Sequence, residues 1–362
     1  DPINFWIVVV NFHHIILCML CCIFFSGAQA GSAMPDEECL VIAHRGASGY
    51  RPEHTLAAYR LAVEQGADFI EPDLVLTRDG VPIARHESFL NLTTDVATRP
   101  EFAARRTVRM IGGREYDGWF SDDFTLAEIR TLAAVERIPE LRPDNTRFNG
   151  EFGVPTLGEI ITLVRELERD TGRTIGIYPE LKQPAYFAER GLDIVAAVHE
   201  ALTTAGYQNR DAPVFVQSFE AAALRRYAQL SDLRRIQLLD ATDPNEIQAL
   251  ISPPALRRIA EYADGIGIPK YGYLATVPTE GGWPTTVTRL REAADTAGLL
   301  IHVYTCRAEN HFLPDALRSS DSPTEPGNLH AELEALRAAG MDGFFIDQPD
   351  IGRLFCDKQV VL

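Results

Sequence analysis

From residue 40 onward, short apolar runs of β character alternate with stretches of helical periodicity, and the alternation recurs eight times. The runs are Leu40–His44, Asp68–Leu76, Thr174–Leu181, Pro213–Ser218, Arg235–Asp240, Ala263–Ile268, Leu299–Thr305 and Asp342–Asp347. Helical patterns lie at His54–Gln65, Thr156–Asp170, Leu192–Ala205, Glu220–Leu230, Asn245–Tyr262, Pro284–Ala297 and Leu329–Ala339. Strand and helix repeating in this way predict parallel pairing with helices outside the sheet. Eight units predict an α/β fold of the closed (β/α)8 TIM-barrel kind rather than an open doubly wound sheet. No Gly-rich dinucleotide fingerprint or phosphate loop follows any run, which also argues against the open sheet. One stretch, residues 87–155, holds no clear core strand and is expected to be an insertion between the second strand and its helix, lying over the barrel mouth. The Asp-Gly in Thr77-Arg-Asp-Gly80 signals a hairpin. The second strand should therefore overshoot, turn, and return through Val81–Arg85, bringing His86 back beside it.

In such a barrel the working residues sit at the C-terminal ends of the strands. The polar residues at those ends are His44 and Arg45 after strand 1, Glu71 and Asp73 in strand 2, Glu180 and Lys182 in strand 3, and Gln217 in strand 4. With period 2, Glu71 and Asp73 share one face. Three carboxylates from neighbouring strands repel one another unless a cation sits between them. All-oxygen ligation selects a hard divalent ion, Ca²⁺ or Mg²⁺, over zinc. His44 and His86 suit acid–base work near neutral pH. Arg45 and Lys182 suit phosphate binding, with Gly46 and Gly49 leaving room for the approach of backbone. Gln217 reads equally as a substrate ligand or a buried amide. Glu53 reads either as orienting His44 or Arg45 or as part of a helix cap, and His54 as a structural residue opening the first helix. Together these residues suit metal-assisted cleavage of a phosphodiester. Cys306, next to the predicted mouth, reads as pocket lining. Trp119, Phe120 and Tyr271 are candidates for an alcohol pocket or for core.

The formal net charge of −17 disfavours nucleic acid as a partner. It also requires local cations at any anion site. In the first thirty residues Asp1 is the sole Asp, Glu, Lys or Arg, Ile15–Phe25 is apolar throughout, and Ala28-Gln-Ala30 resembles a signal cleavage site. A secretory signal over residues 1–30 with cleavage near Ala30 is expected, leaving a secreted, periplasmic or extracellular mature chain whose barrel domain spans 39–362, with no stable membrane insertion of it; an uncleaved anchor is the alternative. Beyond residue 30 the cysteines are Cys39, Cys306 and Cys356. Their odd number excludes complete pairing. In an oxidising compartment Cys39 and Cys356 could pair, since the ends of a closed barrel can meet at one face.

The motifs His44-Arg-Gly-Ala-Ser-Gly-Tyr-Arg-Pro-Glu-His-Thr55, Glu71-Pro-Asp-Leu74, His86-Glu87, Gly176-Ile-Tyr-Pro-Glu-Leu-Lys182, Glu261-Tyr-Ala-Asp-Gly-Ile-Gly267 and Gly343-Phe-Phe-Ile-Asp-Gln-Pro-Asp350 resemble those of the glycerophosphodiester phosphodiesterase family, its secreted branch in particular. The resemblance implies hydrolysis of a small-molecule glycerophosphodiester to sn-glycerol 3-phosphate and an alcohol. It implies His44 and His86 as the acid–base pair and Glu71, Asp73 and Glu180 as ligands of a divalent cation, typically Ca²⁺. It places Arg45 and Lys182 near the phosphate. Pro72, where a polar residue is common, and Glu87, where Asp is usual, depart from the pattern. The competing readings are a phospholipase D-like lipid phosphodiesterase, disfavoured by the acidic charge, and a non-catalytic ligand-binding barrel.

Overall fold

The computed structural model describes residues 39–240, 249–274 and 289–359. The expected leader over residues 1–30 lies outside them, as do the first parts of the helical stretches expected from Asn245 and Pro284. In chain order the strands are β1 (Leu40–His44), β2 (Phe69–Glu71), β3 (Asp73–Leu76), β4 (Pro82–Ala84), β5 (Thr107–Ile111), β6 (Arg114–Gly118), β7 (Gly176–Ile177), β8 (Glu180–Leu181), β9 (Phe215–Ser218), β10 (Arg234–Leu238), β11 (Gly265–Pro269), β12 (Leu300–Cys306) and β13 (Gly343–Ile346).

Apart from β4, β5 and β6, these strands make a closed parallel ring, as the alternation of β and helical patterns predicts. β1 pairs with β2 on one side and with β13 on the other. β8 through β13 pair in order, each parallel to the next. The second barrel strand is split into β2 and β3 at Pro72 and the third into β7 and β8 before Glu180, but the hydrogen-bond ladder runs across both breaks. Tyr178 N–H donates to Ile70 O at 2.9 Å, Glu180 N–H to Pro72 O at 2.9 Å, and Lys182 N–H to Leu74 O at 3.1 Å. Proline has no N–H to donate, and at position 72 only its carbonyl is needed.

The predicted hairpin forms. β4 runs antiparallel to β3 with Leu74 opposite Ala84 and Leu76 opposite Pro82, and Arg85 N–H donates to Asp73 O at 2.9 Å. This return delivers His86 to the rim beside Asp73. Within residues 87–155 the structure adds a feature absent from the sequence reading. β5 and β6 form a separate antiparallel pair around Gly112 and Gly113, both at positive φ, the conformation that a two-residue hairpin turn demands.

Layering inside the ring sets the stage for the site. Leu40, Ile42, Phe69, Tyr178, Phe215, Ile236 and Phe345 fill the lower interior, with His302 Nδ1 and the Tyr178 hydroxyl 2.7 Å apart among the rings. Above this apolar plug the next inward positions of the same strands are His44 and Glu71. Helices cover the outside; one of them, Leu157–Thr171, opens on a reciprocal cap between Thr156 and Glu159 and stops at left-handed Gly172, signals readable in the sequence. No helix among the described residues is long and apolar enough to cross a membrane.

Cys39 and Cys356 form a disulfide, and Cys306 is the free thiol among the described residues. Cys306 does not line the cavity. It is fully buried among Val303, Ala308 and Phe344 in the layer between strands and helices, because side chains alternate along β12 and its neighbours Thr305 and Arg307 face the mouth. Tyr271 does line the mouth, whereas Trp119 is buried in the insertion with Nε1 donating to Phe102 O at 2.7 Å. Joining residues 317 apart restricts the unfolded chain strongly, an effect typically worth about 2–4 kcal/mol. A Cys39→Ser, Cys356→Ser variant should therefore melt roughly 3–6 °C lower in scanning calorimetry. An unchanged midpoint would contradict this.

Candidate active site

Strand register assembles the site. His44 lies opposite Glu71, Asp73 opposite Glu180, and Glu180 opposite Gln217. A cavity of about 360 Å³ at this end of the barrel is lined by His44, Arg45, Glu71, Asp73, His86, Glu180, Lys182 and Gln217. Every site residue expected from the sequence therefore borders a single space.

Glu71, Asp73 and Glu180 are buried, and one carboxylate oxygen from each lies within 4.8 Å of the others. Burial and the negative charge of its two neighbours hold Glu71 well above the usual carboxylate range. Burial and the nearby Asp73 push Glu180 up to about 8, with Lys182 opposing. Asp73 goes the other way: against the effect of burial, Lys182 and a hydrogen bond from His54 hold it well below its ordinary value. Asp73 Oδ1 is buried with no hydrogen-bond partner. Mutually repelling carboxylates and a vacant buried oxygen are what an oxygen-ligated divalent cation would relieve, so the donor set fits such an ion.

The two imidazoles are built alike. His44 Nδ1 lies 2.7 Å from Asp347 Oδ1, and His86 Nδ1 lies 2.6 Å from Glu87 Oε1. A carboxylate can only accept here, so each ring holds its proton on Nδ1 and keeps Nε2 free for exchange. Burial, then the charge of Arg45, lowers His44 to about 4. The enclosed setting of His86, with Arg45 and Lys182 nearby, also lowers that ring. Both are neutral at pH 7. Against burial, Arg307 and Arg142 hold Asp347 ionised; Arg307 Nε donates to its Oδ2 at 2.8 Å and Arg142 Nη2 at 2.6 Å.

The cations are held as firmly. Arg45 sits at φ 60°, its N–H donating to Glu71 Oε2 at 2.9 Å, its guanidinium to Glu53 at 3.0 and 3.1 Å. Lys182 Nζ pairs with Glu180 at 2.8 Å. Gln217 Nε2 donates to Glu71 Oε1 at 3.0 Å, so the amide supports a triad member as well as lining the cavity. The glycines play a different part from the expected one. A Cβ on Gly46 would collide with Ala58, and one on Gly49 with Gln348; their bareness lets the loop after β1 pack against its neighbours.

Several contributors escaped the sequence reading. His54 does not cap the first helix, a task taken by Thr55. It is buried, with Nε2 2.9 Å from Asp73 Oδ2 and Nδ1 2.8 Å from the Tyr59 hydroxyl. Arg137, from the insertion, donates to both oxygens of Glu53 at 2.7 Å and to both of Glu87 at 2.7 and 2.8 Å. A line of alternating charge thus runs Glu87–Arg137–Glu53–Arg45, with neutral His86 bound at its end. Asp347 ends strand 8, so the strand-end rule could have found it; nothing in the pattern of residues 87–155 marks Arg137 or Arg142. Removing Arg137 would leave buried Glu53 with Arg45 alone and half-buried Glu87 with His86 alone, a defect of about 1–3 kcal/mol. Arg137→Ala should lower stability by that order in urea titration while the far-ultraviolet dichroism stays native; a wild-type midpoint would refute the bridging role.

The sequence matches the glycerophosphoryl diester phosphodiesterase family over residues 44–351. It is 35% identical over 325 residues to glycerophosphodiester phosphodiesterase GDPD6 of Arabidopsis thaliana, covering 84% of this chain and 82% of the relative. It is 30% identical over 361 residues to the glycerophosphodiester phosphodiesterase of Haemophilus influenzae, covering 91% and 93%. Among solved structures, an Oleispira antarctica phosphodiesterase in complex with the product sn-glycerol-3-phosphate superimposes with a TM-score of 0.58 at 23% identity, over 88% of this chain and 96% of that one. That last likeness speaks for the barrel fold alone. With the family match and the two long alignments, the chain belongs to the glycerophosphoryl diester phosphodiesterase family.

Proposed function

We propose that this chain hydrolyses glycerophosphodiesters to sn-glycerol 3-phosphate and an alcohol, with His44 and His86 as its acid–base pair. The observation that carries this reading is the convergence of two carboxylate-bound imidazoles and the triad on one cavity. The name shared by the relatives supports it. Glu71, Asp73 and Glu180 would hold the divalent cation, Ca²⁺ ahead of Mg²⁺ because a three-carboxylate, all-oxygen set suits the larger hard ion. Bound there, the ion would neutralise phosphoryl oxygen charge as it builds up. Arg45 and Lys182 bind and orient the phosphate. Each histidine moves a proton at Nε2 while Asp347 or Glu87 fixes its ring and tautomer. Gln217 holds Glu71 in place. We further propose that residues 1–30 are a secretory signal and that the mature chain works in a secreted, periplasmic or extracellular setting; the Cys39–Cys356 disulfide supports an oxidising compartment.

Release of glycerol 3-phosphate from glycerophosphocholine, followed by phosphorus NMR, is expected to stop on chelation and return with Ca²⁺. His44→Ala and His86→Ala should each lower kcat by about 100-fold or more without loss of fold; a near-normal rate in either removes that histidine from the mechanism. Because Glu180 is pushed up to about 8, the cation-free protein holds a proton there near pH 7. Cation binding should release it, and affinity should rise from pH 6 to pH 8. Calorimetry giving the same apparent enthalpy in buffers of different ionisation heat would count against this.

A further inference from the structure

The two oxygens of Asp73 are treated differently. Oδ2 lies 2.9 Å from His54 Nε2, with Arg45 Nε 3.3 Å from the same atom. Oδ1 is buried without a hydrogen-bond partner. Lys182 Nζ stands 4.0 Å from it, on the side of Glu180. One oxygen is tied back and the other is left toward the neighbouring acids. Three carboxylates this close push one another apart. A bond that holds Asp73 against that repulsion keeps the donor set gathered before an ion arrives.

The placement of His54 is over-determined. The residue is fully buried and sits at φ 55°, a left-handed conformation uncommon for a residue other than glycine. Such strain persists where the surroundings impose it. His54 N–H donates to Arg45 O at 3.0 Å. Arg85 Nη2 donates to His54 O at 3.3 Å, while Arg85 N–H donates to Asp73 O at 2.9 Å. One buried arginine thus braces the backbones of both partners. On the ring, Nδ1 lies 2.8 Å from the hydroxyl of Tyr59, which stands on the helix Leu56–Glu64. The Asp73 carboxylate accepts, so Nε2 carries the proton; the Tyr59 hydroxyl donates to Nδ1 and keeps it there. The first helix thereby fixes the tautomer of a ring whose other end holds a triad oxygen.

We propose that His54 is a positioning residue for the divalent-cation site: with Tyr59 setting its tautomer, it holds Asp73 Oδ2 so that Oδ1 stays available to the ion, and it thereby sets the affinity of the site. The proposal rests on the reading of Glu71, Asp73 and Glu180 as cation ligands and is independent of which diester is cleaved. Partners that orient a metal-binding carboxylate in this way are typically worth about 10–100-fold in metal affinity.

The test is calorimetric titration of the chelator-stripped, dialysed full chain with CaCl₂. His54→Leu removes the donor and should weaken Ca²⁺ binding by about 10–100-fold. His54→Gln carries an amide N–H at similar reach and should recover most of the loss at the same backbone position. Tyr59→Phe, which leaves the ring in place but frees its tautomer, should weaken binding roughly tenfold and serves if the leucine variant does not fold. At saturating Ca²⁺, His54→Leu should regain a kcat within a few-fold of wild type, a recovery that general structural damage would not show. Equal Ca²⁺ affinity in wild type and His54→Leu, or in wild type and Tyr59→Phe, overturns the proposal, as does a glutamine variant no better than leucine. A wild type that binds neither Ca²⁺ nor Mg²⁺ removes the cation site and this role with it. Ca²⁺ binding that follows the expected order without cleavage of any ester supports the role and defeats only the hydrolytic reading.

Discussion

Three buried carboxylates converging within 4.8 Å are the condition to which the rest of this barrel mouth answers. Charge withdrawn from water is costly unless it is matched at close range. Here the match comes in successive shells of alternating sign. Lys182 and Arg45 lie against the acids; Glu53 lies against Arg45; Arg137 lies against Glu53 and then Glu87. Apolar side chains of equal volume would pack this region at less cost, so the acids are kept for what they bind. A chain of net charge −17 thereby maintains a locally cationic wall where an anion must land.

The same shells impose order on the imidazoles. Each ring is pinned through Nδ1 to a carboxylate that is itself gripped by arginine, Asp347 by Arg142 and Arg307, Glu87 by Arg137. Arg137 and Arg142 both come from residues 87–155. This stretch, which contributes nothing to the barrel ring, carries two of the arginines that hold the working groups still. Glu87 is held by the Arg137 fork, which takes both of its oxygens.

The parts legible in the sequence share one property: they follow from local periodicity. Eight β runs, the Asp-Gly turn and the strand-end positions of His44, Glu71, Asp73, Glu180 and Gln217 all rest on spacing within a few residues. What stayed hidden depends on contacts between distant segments. Asp347 reaches His44 across 303 positions and Arg137 reaches Glu53 across 84; no periodic pattern encodes either. His54 is legible as a structural residue opening the first helix, but its bond to Asp73, 19 positions away, is not. Cys306 was misread by one position of alternation, enough to turn it from the lumen to the outer layer.

The link between Cys39 and Cys356 makes the stretch between them a covalent ring whose first and last strands are also hydrogen-bonded to each other. A ring cut once remains one molecule. A protease that nicks any exposed loop between those cysteines would leave the two pieces tethered, the β1–β13 seam intact, and the mouth in a position to survive damage that would split an open chain.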